Sequence, residues 1–251
     1  MTLEKPTIVL FDMDGTTVRH INPRLLQILE WLDDVIHKIT GLISKIFRRK
    51  ISSPPIVEFR KGKRPKLLVH RALHKMRRKE VDQIVEPCPG IYNLLEYLKE
   101  NNIRMGIISN GLGKGYGHDV LKTFKLERYY EVTIFREDIP RAKPYPDPIL
   151  KAAEQLEPKP SSDDVIWYFG DRRKDILSAL ASQAHLPCKI VPFAYNLHAA
   201  VAILNNGLSP DQITMGWPDV ENKLRAFFPD SAKNKIGTKD FTKKEKTQAA
   251  E

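Results

Sequence analysis

The sequence predicts an α/β protein, in which a parallel sheet is flanked by helices and an all-helical domain is inserted after the first strand. Three observations support this. An apolar run at residues 8–11 leads directly into aspartates at positions 12 and 14. From residue 91 onward, strand-like apolar runs alternate with amphipathic helical runs. Between these two parts, residues 18–87 have a helical pattern and a strongly basic composition. Strands that alternate with helices favour a parallel sheet covered on both faces.

The first predicted strand is the run IVLF, which Asp12 closes and Gly15 follows. A short, continuous apolar run rich in β-branched residues is typical of a strand buried on both faces. Carboxylates are costly at such a place unless another group offsets their charge. In open α/β sheets, however, ligands bind at the carboxyl ends of the strands. Asp12 and Asp14 are therefore candidates for a functional role.

The inserted segment begins with a long amphipathic helix, predicted from Asn22 to Lys50. Residues 51–55 break the pattern, residues 58–66 form a basic loop, and a second helix is predicted over 66–85. The apolar stripe of the first helix recurs at steps of three and four, as an amphipathic helix requires. Its members are Leu25, Ile28, Leu32, Val35, Ile39, Leu42 and Ile46.

Positive charge is concentrated in this inserted segment. Residues 18–87 contain 17 Lys and Arg against 7 Asp and Glu, a net charge of +10, which equals the net charge of the whole chain. Such asymmetry favours an anionic ligand or surface near the segment, and a merely soluble basic face is an equal alternative.

The rest of the chain continues the α/β pattern. We predict strands at 103–109, 131–137, 164–171 and 188–195, and helices at 91–102, 117–124, 147–156, 175–184 and 197–206. The domains are then 1–17 for the first part of the core, 18–87 for the helical insertion and 88–230 for the rest of the core. Residues 231–251 are polar and lysine-rich, and we predict a disordered tail.

Several protein classes are excluded or disfavoured by composition. No run of about 18 apolar residues occurs, so no membrane-spanning helix is predicted. The N-terminus lacks a basic region followed by an apolar one, so no signal peptide is expected. The two cysteines, Cys88 and Cys188, have no metal-binding spacing, which favours a reduced, cytoplasmic chain.

Four polar clusters lie at the ends of predicted strands or in the loops that follow those strands. Because the carboxyl ends of parallel strands meet at one edge of a sheet, these clusters should lie close together. They are Asp12-Met13-Asp14-Gly15-Thr16, Ser109-Asn110, Lys143-Pro144 and Gly170-Asp171-Arg172-Arg173-Lys174-Asp175.

This ordered set of motifs resembles the haloacid dehalogenase-like hydrolase superfamily. The resemblance covers the whole core, and the helical insertion is similar to the cap of the phosphoglycolate phosphatase-like branch. It implies a Rossmann-like fold and a Mg²⁺-dependent phosphatase that hydrolyses a small phosphorylated metabolite. The presence of Asp14 makes the chain similar to the phosphatases of the superfamily. Members that cleave carbon–halogen bonds lack an aspartate at this place.

The resemblance also implies roles for the motif residues. Asp12 would be the nucleophile that forms an aspartyl-phosphate, and Asp14 would be the general acid and then the base. Mg²⁺ would bind Asp12, the backbone carbonyl of Asp14 and Asp171, with Asp175 in support.

Three further residues are expected around the phosphate. Ser109 and Asn110 would bind the transferring phosphoryl group, and Lys143 would neutralise it and keep Asp12 ionised. The glycine-rich run at residues 111–117 matches no nucleotide-binding pattern, and we predict a mobile loop near the phosphate. Thr17 departs from the family, whose members usually carry an aliphatic residue there.

Alternatives stay open at the level of function and partners. A sugar phosphomutase would use the same residues, and a third possibility is a protein whose basic cap binds nucleic acid or a membrane surface. The stripe from Leu25 to Ile46 favours packing within the cap, then a homodimer seam, and then a lipid surface. We expect a small phosphorylated substrate, no specific nucleic acid and no membrane partner.

Overall fold

A computed structural model describes residues 3–21 and 81–228 of the chain. The strands within these residues are β1 (Ile8–Asp12), β2 (Val18–His20), β3 (Val85–Pro87), β4 (Arg104–Ile108), β5 (Val132–Ile134), β6 (Val165–Gly170), β7 (Lys189–Tyr195) and β8 (Ile213–Thr214). Six of them form one parallel sheet, in the order β5-β4-β1-β6-β7-β8, and β2 and β3 form a separate antiparallel pair.

Helices cover both faces of this sheet, which confirms the predicted fold class. Their bounds are α1 (Ile91–Glu100), α2 (His118–Thr123), α3 (Asp147–Gln155), α4 (Arg173–Ser182), α5 (Leu197–Asn205) and α6 (Trp217–Arg225). The sequence did not predict β8 or α6. Trp217, the first residue of α6, is fully buried and packs on the ring of Tyr195 at the end of β7.

The first strand lies at the centre of the core. Every residue of β1 is buried, and the strand pairs with β4 on one side and β6 on the other. Successive side chains of a strand point to opposite faces. Val9 and Phe11 accordingly join one apolar cluster, and Ile8 and Leu10 join the other. Burial on both faces explains why β1 is a continuous apolar run and not an alternating one.

The strand order places a binding crevice beside β1. From β1 the chain adds β4 and β5 on one side and later adds β6, β7 and β8 on the other. The order therefore reverses next to β1, and such a switch point is where open α/β sheets bind ligands. Asp12 is in register with Ile108, so the residues that follow β1 and β4 emerge at the same edge.

The two ends of the inserted segment differ from the prediction. We assigned residues 18–87 to a helical domain, but Val18–His20 and Val85–Pro87 form a two-stranded antiparallel ribbon. A short 3₁₀ helix, Val81–Gln83, lies where the second predicted helix was to end. The outgoing and returning chains pass side by side here, and pairing satisfies their backbone N–H and C=O groups.

Several predictions fall on residues 22–80 and 229–251, outside the described residues. They include the helices of the cap, the apolar stripe with its possible homodimer seam, and the lysine-rich tail. These stay predictions, as does the cytoplasmic location. Among the described helices, none is both long and apolar enough to cross a membrane.

Candidate active site

The loop after β1 is closed on itself by short-range hydrogen bonds. The Thr17 hydroxyl donates to the carbonyl of Asp12 at 2.8 Å, and the Gly15 N–H donates to the carbonyl of Val18 at 2.7 Å. Gly15 has a φ of +88°, and a Cβ there would lie 2.2 Å from Oδ2 of Asp171. Glycine is thus required both by the backbone and by the neighbouring carboxylate. The hydroxyl of Thr17 therefore ties the loop to the backbone of Asp12.

Lys143 extends into the site from the loop before α3 and is fully buried. Its Nζ atom pairs with two carboxylates: it contacts Oδ1 of Asp12 and lies 2.7 Å from Oδ1 of Asp175. The same atom donates hydrogen bonds to the Tyr168 hydroxyl at 3.1 Å and to the Ile108 carbonyl at 3.3 Å. Burial opposes its charge, but Asp12 and Asp175 outweigh burial and raise the pKa of Lys143 well above its usual value. This lysine is therefore a fixed positive charge between two buried carboxylates.

We call Asp12, Lys143, Asp171 and Asp175 the ionic cluster. Burial raises the pKa of Asp12 to about 8, since the favourable effect of Lys143 is opposed by Asp175 and Asp171. Burial, together with Asp175, also raises the pKa of Asp171 to about 6. The predicted contact between Lys143 and Asp12 is present, but this one ammonium group does not offset three neighbouring carboxylates.

A divalent cation fits the donors of this cluster. One carboxylate oxygen each from Asp12, Asp171 and Asp175 lies within 4.8 Å of the others. The Oδ1 atom of Asp171 is buried and has no hydrogen-bond partner among the residues that the structure describes. A hard cation, which prefers oxygen ligands, would be coordinated by that oxygen atom. Its positive charge would favour the ionised form of all three carboxyl groups. The structure thus brings together the carboxylates of Asp12, Asp171 and Asp175, and metal binding by them stays a prediction.

Asp14 lies in a different environment, although only one residue separates it from Asp12. Its side chain is 30% exposed, and its Oδ1 accepts a hydrogen bond from the Tyr116 hydroxyl at 2.5 Å. The Nε2 atom of His20 lies 3.7 Å from the same oxygen. Burial opposes ionisation, but the polar contacts with His20 and Tyr116 prevail and lower the pKa of Asp14. The carboxylate of Asp14 is not part of the three-carboxylate group.

The motif after β4, Ser109-Asn110, contacts both Asp14 and the backbone of Lys143. The Ser109 hydroxyl lies 3.4 Å from Oδ2 of Asp14 and accepts from the Gly111 N–H at 2.9 Å. The side chain of Asn110 accepts from the Lys143 N–H at 3.0 Å and donates to the Lys143 carbonyl at 3.1 Å. Asn110 thus fixes the backbone that carries Lys143. Its contact with a phosphate stays a prediction, as does that of Ser109.

Three residues of the site were not found from the sequence. Tyr168 lies within β6 and contacts Lys143 and Asp175, but in the sequence it was one aromatic residue of an apolar run. His20 lies in a segment that was assigned to the cap. Tyr116 lies in the glycine-rich run, where an aromatic residue among four glycines was the available signal.

Comparison with known proteins gives matches over most of the chain. The family described as haloacid dehalogenase-like hydrolase matches residues 9–186, which include all of the predicted site residues. A crystal structure of a HAD-superfamily hydrolase from Ehrlichia chaffeensis superposes with a TM-score of 0.56. That match covers 90% of this chain and 99% of the other at 20% identity, and it supports the fold.

Two curated relatives are enzymes that act on phosphorylated compounds. The pyrophosphatase PpaX of Halalkalibacterium halodurans is 25% identical over 84% of this chain and 94% of its own length. The phosphoglycolate phosphatase 1 of Pseudomonas aeruginosa is 24% identical over 90% of this chain and 84% of its own length.

Proposed function

This chain belongs to the haloacid dehalogenase-like hydrolase family, and from that premise we propose that it is a phosphatase of small phosphorylated metabolites. The observation that carries the proposal is the arrangement at the end of β1. Asp12 is buried against Lys143, and Asp14 faces a more open space beside Ser109. A nucleophile and an acid/base group are what stepwise hydrolysis of a phosphomonoester requires.

Asp12 is the proposed nucleophile. Lys143 engages its Oδ1 atom, so we assign the attack on phosphorus to Oδ2. A bond forms between Oδ2 and phosphorus while the bond from phosphorus to the leaving oxygen breaks, which gives an aspartyl-phosphate. Water then attacks the phosphorus and releases inorganic phosphate and the free carboxylate. Positioning and charge neutralisation supply most of the catalysis in such reactions.

Asp14 is the proposed general acid and base. It donates a proton to the leaving oxygen in the first step and takes one from the attacking water in the second. Its lowered pKa suits the second task. The first task needs a proton on Asp14, and the negative charge of a bound phosphate would raise its pKa and so favour that proton.

Mg²⁺ is the proposed cofactor, held by the carboxylates of Asp12, Asp171 and Asp175 and by the backbone carbonyl of Asp14. When bound, it neutralises charge on the phosphoryl oxygens and on the three carboxylates. Lys143 supplies a second positive charge beside the nucleophile, and Ser109 and Asn110 supply polar groups for the phosphoryl oxygens.

The proposed substrates carry a second anionic group besides the phosphate that is removed. Residues 18–87 hold a net charge of +10 and directly follow Asp12 and Asp14 in the sequence, and a basic segment inserted at that point favours such molecules. Pyrophosphate and phosphoglycolate, which appear in the names of the two relatives, both have a second acidic group. We therefore place both compounds first among the candidates.

The experiment is inorganic phosphate release from a panel of pyrophosphate, phosphoglycolate, other phosphorylated acids and neutral sugar phosphates. Wild type and Asp12→Asn are compared with Mg²⁺ and with EDTA. We expect Mg²⁺-dependent release that Asp12→Asn abolishes. Asp163→Asn is the matched control and should keep wild-type activity, because this exposed aspartate lies in the turn before β6, at the opposite end of that strand from Asp171.

Other outcomes would redirect the proposal. If neutral sugar phosphates are hydrolysed faster than every substrate with a second acidic group, the argument from charge is wrong. An isomerised sugar phosphate without phosphate release would identify a mutase. Activity that survives Asp12→Asn would overturn the assignment of the nucleophile.

A further inference from the structure

The glycine-rich run after β4 is a defined turn in the structure. Gly113–Gly117 form one wide turn that leads directly into α2. The carboxylate of Glu137 accepts from the Gly113 N–H at 2.9 and 3.0 Å and from the Lys114 N–H at 2.8 Å. These contacts fix the start of the turn to the loop that follows β5. The glycines therefore belong to a turn that is held at its start by hydrogen bonds, and the mobility predicted for the run stays a prediction.

Close packing on Phe135 explains why this turn needs glycine. A Cβ atom at Gly117 would lie 2.2 Å from the Phe135 ring, and one at Gly113 would lie 2.7 Å from it. Real Cβ atoms do not approach other heavy atoms this closely, so a side chain at either position would push the turn away from the ring. The consequence of the close approach is that Tyr116, between these glycines, is carried inward and is 4% exposed.

The hydroxyl of Tyr116 then ends at Asp14. It donates to Oδ1 of Asp14 at 2.5 Å and lies 3.5 Å from Nε2 of His20. The rings of Tyr116 and His20 are nearly parallel, with an interplanar angle of 15°. Both residues lie on the same side of the Asp14 carboxylate. The other carboxylate oxygen, Oδ2, is the one that faces Ser109.

We propose that Tyr116 is a positioning residue that holds the Asp14 carboxylate by Oδ1, so that Oδ2 is the atom presented to the leaving oxygen. The proposal rests on the proposed function, in which Asp14 is the acid and base. The last torsion of an aspartate side chain is broad, so a free carboxylate would rotate. Proton transfer needs a heavy-atom distance of about 2.6–3.2 Å, and fixing one oxygen keeps the other within reach.

The chemistry predicts which substrates depend on Tyr116. When the phosphorus–oxygen bond breaks, an alkyl leaving oxygen takes the proton from Oδ2 of Asp14. A p-nitrophenolate leaving group departs without that proton, because its negative charge is delocalised over the ring. Attack by Asp12 and neutralisation by Lys143 are the same in both reactions. Loss of the Tyr116 hydroxyl should therefore slow the first step for an alkyl phosphate and spare the first step for p-nitrophenyl phosphate. The second step, in which Asp14 takes a proton from water, is common to both substrates, so the comparison uses kcat/KM, which reports only the steps up to departure of the leaving group.

The kinetic test compares Tyr116→Phe with Tyr92→Phe. Each variant loses one hydroxyl, and the Tyr92 hydroxyl donates to the Phe124 carbonyl at 2.8 Å in another part of the core. For Tyr116→Phe, we expect kcat/KM for phosphoglycolate to fall about tenfold to a hundredfold, the range for a hydrogen bond to a charged group. The kcat/KM for p-nitrophenyl phosphate should change less than about twofold. Tyr92→Phe should leave all of these values as they are.

A second readout does not depend on activity. In protein with ¹³C-labelled aspartate, the carboxyl resonance of Asp14 is assigned by its loss in Asp14→Asn. We expect Tyr116→Phe to move this resonance and Tyr92→Phe to leave it in place. An unmoved resonance would overturn the proposal, whatever the kinetics.

The two readouts separate the possible failures. Wild-type protein without activity on any substrate, but with a resonance that moves, contradicts the proposed function and supports the contact. Equal loss of kcat/KM on phosphoglycolate and p-nitrophenyl phosphate would show that Tyr116 has only a structural role, and the positioning proposal would then be wrong.

Discussion

Asp12 and Asp14 are separated by one residue of one loop, yet their surroundings differ in almost every respect. Asp12 is buried in the ionic cluster with Lys143 and two further carboxylates, and its pKa is raised to about 8. Asp14 is partly exposed and contacts the polar groups of Tyr116 and His20, and its pKa is lowered. Environments that separate the pKa values of two neighbouring groups are typical of sites in which each has its own task.

The difference follows from the direction in which each side chain leaves the loop. Asp12 is the last residue of β1 and points into the core, where charge must be balanced by other charges. Asp14 lies beyond the strand, where hydrogen bonds and solvent suffice. The comparison therefore predicts that changes around Asp12 affect stability and metal binding, whereas changes around Asp14 affect proton transfer.

The largest effect is expected from Lys143→Met. Removing the ammonium leaves Asp12 and Asp175 buried without their common partner, and breaking a buried ion pair in this way costs about 3–5 kcal/mol. Denaturant unfolding in EDTA measures the loss. The control is Lys189→Met, because Lys189 pairs with Glu4 at 2.5 Å on the surface and such pairs contribute at most about 1 kcal/mol. Equal losses for the two variants would contradict the importance of the ionic cluster.

The next largest effect is expected at Asp14, where a substitution should affect proton transfer and not stability. Asp14→Asn removes the proposed proton donor, so kcat/KM for phosphoglycolate, which reports the steps up to departure of the leaving group, should fall by about 10² to 10⁴. The kcat/KM for p-nitrophenyl phosphate should fall much less, and the unfolding free energy should change little. The ratio of the two kcat/KM values, measured on one preparation, is the readout. A similar loss on both substrates would assign Asp14 to binding and not to proton transfer.

Metal removal gives a third, pH-dependent effect. The raised pKa of Asp12 means that the metal-free protein has its full proton-linked stability below about pH 4 and loses it as pH rises through about 8. Mg²⁺ at a hundredfold excess over its Kd should restore about 2.7 kcal/mol. Since protons compete at Asp12 and Asp171, the Kd for Mg²⁺ should decrease as pH rises from 5.5 to 8. Calorimetric titration at several pH values measures this, and a Kd that does not vary with pH would count against the cluster as the metal site.

The smallest effect is expected from a change in the loop after β1, which carries Asp14. Thr17→Val removes the hydrogen bond to the Asp12 carbonyl and should cost about 1 kcal/mol of stability, with a several-fold loss of kcat. Thr214→Val is the matched control, since Thr214 is also buried and donates to the Gly216 carbonyl at 2.9 Å. It should cost a similar amount of stability and leave kcat unchanged. Equal kcat values in both variants would mean that Thr17 supports folding alone.

The sequence by itself determined the buried first strand, the alternation of strands and helices, and the set of motif residues that meet at one edge of the sheet. These follow from local patterns, because apolar periodicity selects the element and parallel strands bring their carboxyl ends together. Local patterns did not predict the β-ribbon formed by Val18–His20 and Val85–Pro87. That pairing joins segments more than sixty residues apart.

Only the tertiary structure decided how the charges are balanced and which residues contact Asp12 and which contact Asp14. Tyr116 is 102 residues from Asp14 in the sequence, and Tyr168 is 25 residues from Lys143. In the sequence both were aromatic residues of no particular role. Contacts between residues so far apart in the sequence depend on how the sheet and its loops pack. The same packing sets the burial that raises the pKa of Asp12 and the hydrogen bonding that lowers the pKa of Asp14. The motifs therefore predicted the presence of two aspartates at the site, and the packing around them made their environments different.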